Sequence, residues 1–280
     1  MKQDATILVC CHKDDYFYDG DNYLPIQVGK DISSIDLGIQ GDNVGDNISV
    51  KNRSYCELTA MYWAWKNLRN IGYIGLNHYR RYFNFYEKGT IGKEYTIVSI
   101  NEIQNKRLSI DNIDQLFSGA DVILSKQKSY PYSLEIDYSI CHLSKDIKIL
   151  REVISELSPE YIVPFDKYVR YGNKLSHYNM FLMRWEIFDK YCNWLFKVLQ
   201  ELERRIDISS YDAVQQRIFG YIAERLLGVF IYANNLKPRY YPIYWVYENR
   251  SNQPLIKRLL LGLRTRVVWA MDLVHYRRFK

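Results

Sequence analysis

At 280 residues, 48% hydrophobic and 25% charged, the chain has the size and apolar content of one large domain with a substantial core. Its net charge of +6 is concentrated at one end: Arg250, Lys257, Arg258, Arg264, Arg266, Arg277, Arg278 and Lys280 face a single acid, Asp272, which leaves residues 1–249 close to neutral. A near-neutral body with a basic end excludes a general nucleic-acid surface and gives the basic charge a local role.

ATILVCCH (5–12) is a β-rich apolar run that predicts the first buried strand, and it is too short for a signal peptide or a membrane span. The expected location is therefore cytoplasmic. Cys10, Cys11, Cys56, Cys141 and Cys192 show no metal-ligand spacing and read as reduced core residues. YLPIQVG (23–29) predicts a short strand, and residues 29–53 a loop rich in Gly, Asp and Asn. Ser54 and Glu57 have the spacing of a helix capping box, ahead of a helical stripe of Leu58, Met61, Tyr62, Trp65 and Leu68. YIGLN (73–77) predicts a strand running directly into His78-Tyr79-Arg80-Arg81. Short helices near 101–108 and 111–118 precede a strand at 121–125, one long helix over 133–157, a strand over 177–183, helices over 185–205 and 211–233, and a strand over 239–247. Strands alternating with helices predict an α/β fold with a mostly parallel sheet, which binds ligands beyond the carboxyl ends of its strands.

NHYRRYF (77–83) is the sharpest local feature. Guanidinium groups at a strand end pair bidentately with phosphate oxygens; the competing reading solvates one arginine and places the other in an internal salt bridge. Asp42 and Asp46, with Asn47, sit in the Gly-rich loop, either as ligands of a divalent cation or ribose or as an Asx-bonded turn. Asn52, with Ser54 and Glu57, is expected to serve the helix start first. His142 lies in the predicted long helix, and Glu224-Arg225 in an apolar one, where the Glu is a catalytic base or half of a buried ion pair. The 26 Tyr, 6 Trp and 11 Phe suit a cleft that stacks on sugar or base rings, or simply a packed core. P-loop, dinucleotide-binding, zincin and nucleophile-elbow motifs are absent.

Together, ILVCCHK (7–13), LPIQVG (24–29), GDNISVKNRSYCELTAMYWAWKN (45–67), IGLNHYRRYF (74–83), YNMF (178–181) and GYIAERLL (220–227) resemble a bacterial domain family, long of unknown function, found in capsule and exopolysaccharide gene clusters. Members of that family resemble GT-A-fold glycosyltransferases, some of which use UDP-galactofuranose. The resemblance implies a GT-A-like catalytic domain over residues 1–249, with residues 250–280 as a basic amphipathic tail. It further implies a UDP-sugar donor bound by His12, Lys13, Gln27, Asn47, Asn52, Tyr79, Arg80 and Arg81, and an acceptor side at His142, Tyr178 and Asn179. Where many such enzymes place a metal-binding Asp-x-Asp, this chain has His78-Tyr79-Arg80, so the arginines are expected to replace a metal's charge. If a divalent metal is used, Asp42 and Asp46 are its expected ligands.

Inverting transfer of galactofuranose needs one general base, for which Asp46, Asp137 and Glu224 are the candidates, followed by His78 and His142. The expected acceptor is a lipid-linked saccharide, and the tail is expected to meet the anionic inner membrane surface. The alternative is a non-catalytic carbohydrate- or nucleotide-binding module that scaffolds a polysaccharide synthesis complex.

Overall fold

The computed structural model describes residues 5–86 and 94–247. The first apolar run forms β1 (Ala5–Cys11) at the centre of the sheet, with β2 (Tyr23–Gln27) and β3 (Gln40–Gly41) on one side. On the other side lie β4 (Tyr73–His78) and then three strands from later in the chain, β7 (Val122–Ser125), β10 (Phe181–Arg184) and β11 (Pro238–Tyr241). The order is β3-β2-β1-β4-β10-β7-β11. All neighbours are parallel except β10, which runs antiparallel to both β4 and β7. This is the mostly parallel α/β sheet expected from the alternation of elements.

β1 is apolar throughout because both of its faces are covered. Leu8 and Cys10 enter one core cluster while Ile7, Val9 and Cys11 enter the other, the period-two alternation of a strand. The first cluster lies under α1 (Asn52–Tyr55), α2 (Leu58–Asn67), α5 (Leu134–Cys141), α6 (Ser144–Leu157), α7 (Ile162–Phe165), α8 (Trp185–Arg205) and α9 (Ile218–Ala233). The second lies under the short α3 (Ile100–Gln104) and α4 (Ile113–Leu116) and a side sheet. That side sheet joins β5 (Arg81–Phe83) and β6 (Tyr95–Ser99) through β12 (Ile243–Tyr247), and it leaves the main sheet at the end of β4, where His78 pairs with Arg81. A separate hairpin-like pair joins β8 (Lys128–Ser129) to β9 (Lys174–Leu175).

Several boundaries differ from the sequence expectation. The capping box at Ser54 and Glu57 does not form, because Cys56 has a left-handed φ of 52° and separates α1 from α2. Ser54 Oγ instead donates to the Lys51 carbonyl inside α1, and the capping box present is Ser99 with Glu102, at the start of α3. The stretch 133–157 is two helices, broken where His142 adopts extended backbone. The run 239–247 is two strands, because Pro242 has no N–H for a ladder and marks the passage from the main sheet to the side sheet. The strand over 177–183 starts only at Phe181, after a turn in which Tyr178 and Asn179 have φ of 74° and 51°. α9 starts at Ile218, later than residue 211, after a turn in which the Asp212 carboxylate accepts from the backbone N–H groups of Val214 and Gln215.

Of the five cysteines, Cys10, Cys11 and Cys192 are buried as expected, while Cys56 is half-buried and Cys141 exposed. Among the described residues no helix is long and apolar enough to cross a membrane. The basic amphipathic tail expected over residues 250–280 lies outside the described residues.

Candidate functional site

A cavity of about 1220 Å³ opens beyond the carboxyl ends of β1 and β4, where a sheet of this kind is expected to bind ligands. β1 delivers His12 to it, and β4 delivers His78 followed by Tyr79, Arg80 and Arg81. The facing wall comes from α9 and the residue before it, with Arg217, Tyr221 and Glu224 at helical spacing. α5 adds Asp137, Ile140 and Cys141, with His142 directly after it; the turn before β10 adds His177 and Tyr178, and β12 adds Trp245.

The two arginines after β4 differ. Arg80 is ion-paired with Asp15. Arg81 packs across two rings, 4.2 Å from the centroid of Tyr178 and 4.8 Å from that of Trp245. Its Nε has no hydrogen-bond partner, and no carboxylate among the described residues pairs with it. His78 Nε2–H donates to the Tyr178 carbonyl at 2.7 Å. Burial holds His78 below the usual histidine range, Arg81 reinforcing the effect and Glu57 opposing it, so the ring is neutral and its Nδ1 is an acceptor. Burial likewise lowers His12, with Lys13, His78, Arg217 and Arg80 adding to it.

The turn at 177–179 is fixed from three sides. The Tyr178 N–H donates to Glu224 Oε1 at 2.7 Å, His78 holds the carbonyl of the same residue, and Asn179 Nδ2 donates to Glu57 Oε1 at 2.6 Å and to the Gly220 carbonyl at 3.1 Å. Two successive non-glycine residues in left-handed backbone persist because these contacts determine them. Burial works to raise the Glu224 carboxyl, but His177, Arg225 and the Tyr178 N–H outweigh it and hold the group below the ordinary glutamate range.

Of the expected residues, His12, Asn52, His78, Tyr79, Arg80, Arg81, Asp137, His142, Tyr178 and Glu224 line this one cavity. Asn179 lies behind it as a brace. Arg225 pairs with Asp137 at 2.8 Å, both side chains under 10% exposed, so the buried pair joins α9 to α5 and leaves Glu224 free of it. His142 stacks on Tyr221 at 4.1 Å, and its Nδ1 lies 3.1 Å from Gln215 Oε1. Asn52 also braces the entry to α2, donating to the Cys56 carbonyl and to Thr59.

Five further expected residues fall outside the cavity. Gln27 is fully buried and holds the 33–37 loop through Ile35 and Leu37. Asp42 is also fully buried, accepting from the N–H groups of Gly29 and Lys30 and from Ser49 Oγ, so its carboxylate closes a loop and does not fit the cation role. Asp46 does not line the cavity; its carboxylate accepts from the Tyr62 hydroxyl and its backbone carbonyl from Asn67 Nδ2. Asn47 bonds Asn43, Gly45 and Ser49 as an Asx-type brace. Lys13 is exposed and does not line the cavity.

Sequence reasoning missed Glu57, His177 and Arg217, all of which line the cavity. Arg217 Nε donates to Cys56 Sγ at 3.3 Å, and burial, helped by Glu57, pushes the Cys56 thiol up to about 11 despite that arginine. The polar stripe 217, 221, 224 on an apolar helix was the readable signal for Arg217.

A family model described as "Domain of unknown function (DUF4422)" matches residues 6–235. A solved structure, described as the apo form of the WbbM bifunctional glycosyltransferase, is similar with a TM-score of 0.79 and 32% identity, over 90% of this chain and 47% of that chain. This chain thus spans about half the length of that relative. No curated protein matches it.

Proposed function

Because this chain belongs to the DUF4422 domain family, and because its fold is that of a glycosyltransferase structure, we propose that it is a glycosyltransferase of surface-polysaccharide synthesis using a nucleotide-sugar donor and a saccharide acceptor. A match over 47% of a bifunctional enzyme is the length of one of two such units, which supports assigning a single transfer to this chain.

The observation that carries the reading is Arg81, a guanidinium in the cavity at the end of β4 with no carboxylate paired to it among the described residues. Departure of a nucleoside diphosphate concentrates negative charge, and fixed cations placed where that charge develops stabilise the transition state. Arg81 is assigned to the diphosphate, with Arg217 and the Asp15-held Arg80 as flanking cations. Tyr178, Trp245 and the stacked His142–Tyr221 pair offer ring faces to base and sugar.

The best donor candidate is UDP-galactofuranose, transferred with inversion to give a β linkage. In that step the acceptor oxygen bonds the anomeric carbon as the bond from that carbon to the diphosphate breaks, its electron pair leaving with UDP. The hydroxyl proton goes to a carboxylate. Glu224 is assigned as that base: it lines the cavity and is held ionised, whereas Asp137 is tied to Arg225 and Asp46 does not line the cavity. The basic residues of 250–280 are assigned to an anionic membrane surface, each worth about 1 kcal/mol near it, where a lipid-linked acceptor would be presented on the cytoplasmic face.

UDP release from UDP-galactofuranose in the presence of oligosaccharide acceptors tests the reading. Turnover is expected; binding without turnover would make the chain a carbohydrate- or nucleotide-binding module instead.

A further inference from the structure

Glu224 is addressed on both of its oxygens by consecutive residues of one turn. Oε1 accepts the Tyr178 N–H, while Oε2 lies 3.6 Å from His177 Nδ1. The other nitrogen of that ring, Nε2, is 2.7 Å from the Tyr130 hydroxyl. When Tyr130 donates there, the neutral imidazole keeps its proton on Nδ1, the nitrogen that faces Glu224. Tyr130 is itself placed by the chain, its N–H donating to the Asn173 carbonyl and its own carbonyl accepting from Asn173 Nδ2. The three side chains Tyr130, His177 and Glu224 thus form a line that ends in the cavity, and all three line it.

We propose that His177, oriented by Tyr130, is the positioning residue that fixes the Glu224 carboxylate in the rotamer and charge state of a general base. This rests on the assignment of Glu224 as the base. At 3.6 Å the Nδ1–H group faces Oε2 just beyond hydrogen-bond length, and catalytic hydrogen bonds commonly tighten only once substrate is bound. With one oxygen held by a backbone N–H and the other by the imidazole, the lone pairs left over are those turned to the acceptor hydroxyl. The third member of the line gives the imidazole a single tautomer, as a neighbour bonded to the far nitrogen does in Asp–His pairs.

The other groups facing Glu224 are Arg225 and Tyr221 on α9, His78 at the end of β4, Cys56 before α2, His142 after α5, and the hydroxyls of Tyr168 and Tyr178. Glu94 lies in the charge environment of His177, and Lys128 and Lys126 act on that same carboxyl. Among the described residues, His177 is the one that meets the second carboxylate oxygen.

The protein labelled with δ-13C-glutamate, free of any ligand, gives the direct test. The Glu224 resonance is identified by its loss in Glu224→Gln and followed through a pH titration. In His177→Asn its midpoint is expected to rise by roughly one pH unit, and in Tyr130→Phe by less in the same direction. An unchanged midpoint in both variants overturns the proposal. In UDP release from UDP-galactofuranose, the acid limb of kcat is expected to move to higher pH in His177→Asn with KM for the donor nearly constant. An equal loss at every pH, with the limb unmoved, reduces His177 to a packing residue and also overturns it. Full transfer by Glu224→Gln would remove the base assignment itself, an outcome separate from the titration of the wild-type pair.

Discussion

At the scale of single residues, two carboxylates that look alike in sequence are separated by their partners. Asp137 and Glu224 both line the cavity, but Asp137 answers a buried arginine while Glu224 answers a backbone N–H and an imidazole. Removing one member of a buried pair leaves the other charge unsolvated, at a cost of about 3–5 kcal/mol. Asp137→Ala is therefore expected to lower the melting temperature by roughly 10 °C, as thermal denaturation would record. Glu224→Gln keeps the shape of the side chain and is expected to melt near the wild type while losing transfer by about 10²–10⁴-fold. If Asp137→Ala were as stable as the wild type and inactive, the two roles would have to be exchanged.

Between Arg80 and Arg81 the sequence offered no way to choose, because both follow the same strand. Their separation depends on Asp15 reaching Arg80 from a loop 65 residues away, a contact that no local pattern encodes.

At the scale of elements, α9 positions the facing wall, and its close approach to the segment before β9 sets how near it lies. A Cβ on Gly228 would fall 2.0 Å from the Tyr168 ring, so this glycine is required by packing. Gly228→Val is expected to cost about 1–3 kcal/mol and to reduce transfer by displacing Glu224, measured by denaturant unfolding and UDP release. Unimpaired stability would show that α9 is not held at this contact.

Elements with a strong periodic signal were legible: β1, β4 and α8 fall where their patterns put them, α8 to the residue. Elements that end for tertiary reasons were not. Cys56 and Tyr178 adopt left-handed backbone without being glycine, and the break at His142 lets that ring stack on Tyr221, a residue in another helix. The HYRR cluster was found because strand ends of a parallel sheet collect polar groups. Glu57 was missed for the opposite reason: its spacing to Ser54 offered a local explanation, and the true partner, Asn179, lies 122 residues away.

At the scale of the whole molecule, the charge asymmetry remains the feature that the fold of residues 5–247 does not use. The basic stretch 250–280 is expected to carry binding to vesicles containing anionic lipid, with strong salt dependence. Flotation of the full chain and of a version ending at 249 measures it. Equal binding by the two would remove the membrane role from this segment.

The central claim is that the cavity beyond β1 and β4 receives a nucleoside diphosphate on Arg81. Calorimetric titration of UDP and UDP-galactofuranose into the wild-type protein and Arg81→Ala, with chelator present, tests it most directly. Binding by the wild type and a loss of at least about tenfold in the variant are predicted, the worth of one charge-assisted contact. Equal affinity in the two proteins, or no binding of either nucleotide by the wild type, would contradict the account.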